Sequence, residues 1–350
     1  MPITSPNQSR HFASDNWAGA CPESMAALVE ANSGHAAAYG ADAWTAEATR
    51  LVREIFERPC EVFFVFNGTA ANSLAASAMC APYESVFCHR WAHLCTDECG
   101  APGFFAHGVT LSPVDGPNGK IQPGTLEAAA AHDSGVHRPK PRAVSITQST
   151  ELGTIYTPRE IAALGEAARD FDLWLHMDGA RFANAAAALG VAPRQLSWEA
   201  GVDVLSLGGG KNGLPFGEAL VFFNEELALD FAFRRKQGGQ LASKMRFLAA
   251  PWVGALRDGA WLRHAAHANA MAAMLESGLR TLPNVKILFS RDANAVFADL
   301  PERMVEGLRS RGWQFYTDVG PEKAARLMAS WDTTEEDVRR FVRDAAGFAG

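Results

Sequence analysis

The stretch DVLSLGGGKNGLPFG, residues 203–217, sets one lysine, Lys211, behind an apolar run and three glycines. A phosphate-gripping P-loop needs a glycine six residues before its lysine and a Ser or Thr after it. Leu205 and Asn212 occupy those positions, which weakens a nucleotide reading. Glycines around a lysine also leave space for a flat ring, and apolar surroundings favour a neutral, nucleophilic amine. The stretch therefore fits a Schiff-base lysine better. In LHMDGARF, residues 175–182, Asp178 ends an apolar run. A carboxylate there needs a partner: either Arg181 in a structural pair, or a protonated ring nitrogen. In HRWAHLCTDECGAP, residues 89–102, His93 could stack on a ring, shuttle a proton or serve structure alone. FNGTAAN, residues 66–72, reads as a strand end, a glycine turn and a helix start with Thr69 near its N-cap. Free N–H groups at such a start suit an anion, although an ordinary turn reads the same way.

These residues need a scaffold that collects strand ends. CEVFFVF, residues 60–66, is a continuous apolar run, expected as a strand buried on both faces of a parallel sheet. ESVFCH, RAVSITQ (142–148), LWLHMD (173–178), VDVLSLG and EALVFFN read as further strands. Helices are expected near 23–32, over 45–57, after Asn67, over 158–171 and over 181–189, with Pro158 at a first-turn position. The alternation implies an α/β sheet between helices, with ligands at the carboxyl ends of the strands. Residues 225–250 form a basic amphipathic stretch, followed by a longer helix at 259–281. Strands near 285–289, 294–299 and 326–331, with helices near 302–311 and 334–346, then give an α+β signature. This predicts a large domain over 1–255, opening with an arm at 1–22, and a small domain over 256–350.

The 350 residues are 48% hydrophobic, and 32 basic against 39 acidic side chains leave a net charge of −7. That balance argues against a nucleic-acid partner held by a basic surface. No apolar run nears the roughly 20 residues of a membrane span, and the N-terminus lacks a signal-peptide core. A cytoplasmic protein is expected. The six cysteines, Cys21, Cys60, Cys80, Cys88, Cys95 and Cys99, form no CxxC pair and read as reduced thiols. Cys95 and Cys99 near His89 and His93 fit no common zinc spacing, so no metal is expected. His107, His132, His137, His264 and His267 read as structural.

A phosphate cup, His93, Asp178 and Lys211, in that order, resemble fold-type I pyridoxal-phosphate enzymes. FASDN, NGTAAN, AHLCTDECGAP, HMDGARFANAAAALG and the lysine block resemble the low-specificity L-threonine aldolase family, near its phenylserine-cleaving members, over almost the whole chain. The resemblance implies pyridoxal 5′-phosphate on Lys211, with Asp178 at the pyridine nitrogen. It implies His93 stacked on the ring, with the β-hydroxyl proton going to His93, to the catalytic candidate Glu151 or to a bound water. Gly68, Thr69 and Asn72 would serve the phosphate. Ser14, Arg181 and Arg326 would hold the substrate carboxylate, and Lys244 or Arg235 would reach a neighbouring subunit's phosphate in a tetramer built from dimers. The implied reaction is retro-aldol cleavage of L-threonine or phenylserine to glycine and an aldehyde, and its reverse. A β-eliminating lyase or racemase on the same scaffold is the nearest rival. Two departures stand out. STELG puts Glu151 where many relatives carry the histidine of THNG, and Gly210 precedes the lysine where many carry Ser or Thr.

Overall fold

The computed structural model describes residues 11–132 and 135–349. Of the expected arm, residues 1–10 lie outside these. The apolar runs form a seven-stranded sheet: β1 (Glu61–Val65), β2 (Glu84–His89), β3 (Thr110–Val114), β4 (Lys140–Thr147), β5 (Trp174–Gly179), β6 (Val204–Leu207) and β7 (Glu218–Phe222). Their order is β1-β7-β6-β5-β4-β2-β3. Strands β3, β2, β4, β5 and β6 are parallel, and β7 runs against both its neighbours.

The expectation for β1 is corrected. It is an edge strand paired antiparallel with β7 alone, and its first residues are not fully covered. Its apolar character comes from packing across the edge: the Phe63 ring lies 4.7 Å from Phe231 and 5.8 Å from Phe222. Strand β3 escaped the sequence pattern because TLSPV does not look like a core strand; Pro113 suits an edge. The basic stretch 225–250 is not one helix. Helix Phe231–Gln237 stops at Gly238-Gly239, and helix Arg246–Leu256 follows.

Two apolar layers sandwich the sheet. One packs helices Ala43–Phe56, Pro158–Asp170 and Phe182–Leu189 over Phe64, Ile146, Met177 and Leu205. The other packs helix Gly68–Met79 over Val65, Val86, Val204 and Leu220. Helix Pro158–Asp170 starts with the expected Pro158, and Thr157 and Glu160 close a capping box around it.

A second, antiparallel sheet holds β8 (Lys286–Ile287), β9 (Ala295–Asp299), β10 (Tyr316–Val319) and β11 (Ala324–Met328), in the order β10-β11-β9-β8. Strand β10 was not foreseen. Helix Ala260–Leu279 links the layers, with Asn184 and Asn269 bonded side chain to side chain at 3.1 Å. The third core contains Leu275, Val296, Leu327, Phe341 and, from the N-terminal segment, Phe12. The Phe12 ring lies 5.0 Å from Phe341, and its backbone bonds to Gln314 and Met328. Residues 12–15 of the expected arm are thus buried structure. No helix among the described residues is long and apolar enough to cross a membrane.

Candidate active site

Strands β4, β5 and β6 deliver three segments to one edge. Asp178 closes β5, and Lys211 sits in a short turn, Gly210–Asn212, just past β6. The segment after β4 locks onto β5: Gln148 N–H donates to the Asp178 carbonyl at 2.7 Å, and Arg181 N–H to the Gln148 carbonyl at 3.1 Å. The Asp178 carboxylate is buried; Oδ1 accepts from Ala180 N at 3.0 Å and Oδ2 from Asn72 Nδ2 at 3.0 Å.

Asn72 therefore departs from its expected role at a phosphate. It lies past the first turn of helix Gly68–Met79, and its amide also donates to Glu98 Oε1 at 2.8 Å. Glu98 Oε1 in turn lies 3.0 Å from His93 Nδ1. A continuous path, Asp178–Asn72–Glu98–His93, results. The Glu98 hydrogen bond raises the His93 pKa above its ordinary value, against the opposing effect of burial. Burial in turn raises that of Glu98, whose Oε2 has no partner. Glu98 Oε1 faces two nitrogens, Asn72 Nδ2 and His93 Nδ1, which suits a carboxylate that holds the imidazole proton on Nδ1 and leaves Nε2 as the acceptor.

The open end of helix Gly68–Met79 is capped by Asn67, not Thr69: Asn67 Oδ1 accepts from Ala70 N at 2.9 Å. Gly68 and Thr69 are then the first two helical residues, whose N–H groups have no intrahelical acceptor. A side chain added at Gly68 would meet nothing within 4 Å.

The glycines before Lys211 serve the backbone more than a ring. A Cβ at Gly208 would lie 2.4 Å from the Ala180 carbonyl oxygen, and one at Gly209 would lie 2.6 Å from that of Gly217. Gly210 is different; its Cβ would meet only Glu218 Oε1, at 3.5 Å. Glu218 Oε2 accepts from Gly209 N at 2.6 Å, and burial pushes this carboxyl up to about 7.

Arg181 is buried and makes a two-pronged pair with Asp15, at 2.7 and 3.0 Å; Asn294 adds a third hydrogen bond to Asp15 at 3.1 Å. Burial opposes the Arg181 charge, and Asp15 more than offsets it. Arg326, on β11, donates to the Ala13 carbonyl at 3.3 Å and lies over the Tyr316 ring. Its buried Nε has no partner, and burial followed by the neighbouring Arg181 charge lowers its pKa. Two guanidinium groups lining one cleft suit an anion between them. Ser14 is buried beside them, its Oγ accepting from Asn16 N at 3.2 Å.

Ser14, His93, Glu151, Arg181, Lys211, Tyr316 and Arg326 line one cleft of about 500 Å³. Another depression, at Arg58, Trp198 and Asp203, opens beside the amino end of β6. Lys244 and Arg235 are not in the cleft wall. Lys244 is exposed on a turn, and Arg235 lies over the Phe63 ring with its buried Nε unpartnered.

Residues 11–303 match the family model described as beta-eliminating lyase. A low specificity L-threonine aldolase of Pseudomonas aeruginosa is 54% identical over 97% of each chain, as is one from another Pseudomonas strain. This chain belongs to the low-specificity L-threonine aldolase family. The solved threonine aldolase of Leishmania major superposes with a TM-score of 0.91 at 29% identity, covering 97% of this chain and 99% of that one.

The cofactor of this aldolase family is pyridoxal 5′-phosphate, and the cleft's residues fit it. The free helix start at Gly68 and Thr69 suits a phosphate, and the buried Asp178 carboxylate suits a protonated ring nitrogen. Three site residues escaped the sequence reading: Asp15, Glu98 and Glu218. Asp15 lay inside the quoted FASDN, and Glu98 five residues after His93. No local pattern marks Glu218, which reaches the lysine turn through the β6–β7 pairing.

Proposed function

We propose that this chain cleaves L-threonine and other L-β-hydroxy-α-amino acids, phenylserine among them, to glycine and an aldehyde, and also catalyses the reverse addition. One observation carries the reading: Lys211 and His93 share a cleft with two arginines, one just past β5 and one on β11, on a chain so close to known aldolases. Lys211 would hold pyridoxal phosphate covalently, Asp178 its ring nitrogen and the Gly68 and Thr69 amides its phosphate. When bound, that group supplies the sink for the electron pair released as Cα–Cβ breaks.

The protein's own part is positioning and proton transfer. Arg326 and Arg181 hold the substrate carboxylate, and Asp15 keeps Arg181 from turning away. That clamp sets which Cα bond is aligned to break. The β-hydroxyl proton goes to His93 Nε2, since Nδ1 faces Glu98. Glu98 stabilises the charge His93 acquires, as the third group of a triad does. Glu151, on the same wall, gives the proton a second acceptor. The same reading gives a large domain over 1–255, a small one over 256–350 and the cleft between them. It also includes a cytoplasmic homotetramer in which Lys244 or Arg235 approaches a neighbour's phosphate; exposed Phe66 and Phe233 support buried subunit contacts.

The test is a panel of β-hydroxy amino acids incubated with the cofactor-loaded enzyme. Glycine and the matching aldehyde are expected in equal amounts. Pyruvate and ammonia from serine, without glycine from threonine, would transfer the chain to the eliminating lyases.

A further inference from the structure

Behind the lysine turn, away from the cleft, Cys21, Glu23 and His264 meet. Their sulfur, carboxylate oxygen and imidazole nitrogen all lie within 4.8 Å of one another, the grouping with metal-ligand spacing among the described residues. The sequence pointed to His89, His93, Cys95 and Cys99 as the residues to weigh for a metal, and set that aside. The cluster found draws instead on residues over 240 positions apart, so spacing along the chain could not show it.

We propose that Cys21, Glu23 and His264 form a binding site for a divalent zinc-class ion that braces the segment carrying Lys211. The chemistry of the donors is right: a thiolate, an imidazole and a carboxylate are the set Zn²⁺ takes in tetrahedral sites. The geometry is close. Zinc bonds of about 2.0–2.3 Å in a tetrahedron put donor atoms roughly 3.2–3.7 Å apart. His264 Nε2 already lies 3.0 Å from Glu23 Oε2. The Cys21 sulfur lies within 4.8 Å of both of those atoms. The site is also accessible. Cys21 is fully buried, but 36% of the Glu23 side chain and 17% of that of His264 are exposed. An ion can enter past Glu23 and keep a water as its fourth ligand.

The surroundings hold the donors in place. Ser24 Oγ accepts from the thiol at 3.2 Å and donates to the Pro251 carbonyl at 3.0 Å, and the Trp331 ring packs edge-on to His264 at 5.3 Å. Cys21 N–H donates to the Gly213 carbonyl at 2.7 Å, two residues past Lys211. Gly213 has φ +92, and a Cβ there would lie 2.9 Å from Cys21 Cβ. Metal at Cys21 would therefore join helix Pro22–Ala31, helix Ala260–Leu279 and the lysine turn.

Equilibrium dialysis of the cofactor-loaded enzyme against Zn²⁺ should retain one ion per chain that is absent from Cys21→Ser. Co²⁺ should give the visible ligand-field bands of a tetrahedral thiolate site in the wild type. Cys21→Ser and His264→Gln should lower affinity by roughly a hundredfold or more, at least the cost of losing an outer-sphere partner. Metal should raise the melting temperature of the wild type and leave that of Cys21→Ser unchanged. If Cys21→Ser does not fold, Glu23→Gln, at a partly exposed position, should show the same loss of Zn²⁺. Absence of the Co²⁺ bands, or Zn²⁺ binding unchanged in these variants, overturns the site.

Discussion

The two walls of the cleft are built differently. One wall is the carboxyl edge of parallel strands, where Asp178 is the penultimate residue of β5 and Lys211 lies four residues past the end of β6. The other comes from the antiparallel sheet, where Arg326 and Tyr316 face the first wall across residues 12–16. The first wall depends on short-range turns. The second depends on Phe12 filling a distant core and on Asp15 bridging to Arg181. Under the proposed function, cofactor chemistry would rest on local structure, and substrate orientation on long-range packing.

Five substitutions probe that contrast. Lys211→Ala should reduce cleavage to background while the circular dichroism spectrum is unchanged; borohydride should then fix no cofactor at this position. A labelled peptide elsewhere would remove Lys211 from the chemistry of its wall. Asp15→Ala strands the buried Arg181 charge, and breaking such a pair costs about 3–5 kcal/mol. Denaturant unfolding should show that loss, and the surviving protein should have a raised KM. Unchanged stability would mean that the second wall does not need its bridge.

Glu98→Gln should act more mildly. The Glu98 hydrogen bond is the leading cause of the raised His93 pKa, and the base must be unprotonated to accept a proton. Removing that bond lowers the His93 pKa, so the acid limb of kcat/KM moves to lower pH while kcat falls. A limb that stays in place would remove Glu98 from the proton path. The smallest effect belongs to Gly210→Ser. Its Cβ has room, so stability should change by no more than about 0.5 kcal/mol. Gly208→Ala, by contrast, drives a methyl into the Ala180 carbonyl and should weaken cofactor retention, measured as visible absorbance after dialysis.

The strands carrying Asp178 and Lys211 were legible because apolar runs ending in glycine turns are local signals. The same signals misjudged β1, since an apolar run does not say whether a strand is central or at an edge. They passed over β3 and β10, whose stability comes from neighbours and not from their own pattern. Among polar residues the division is similar. Lys211, Asp178, His93 and both arginines were named from motif and family resemblance, and the fold gathers Lys211, His93 and both arginines around one cleft. Asn72 was found but misassigned, because a helix start suggests a phosphate while the helix's rotation decides which way its fifth residue points.

By itself the sequence determined the α/β alternation, the lysine turn and the family, since each is written in contiguous residues. Only the tertiary structure decided that Glu98 backs His93, that Asp15 occupies Arg181 and that Cys21 meets His264. These contacts join residues that are distant in the chain or unmarked by any local pattern. Burial and chain crossing bring such pairs together, and neither leaves a trace in local spacing.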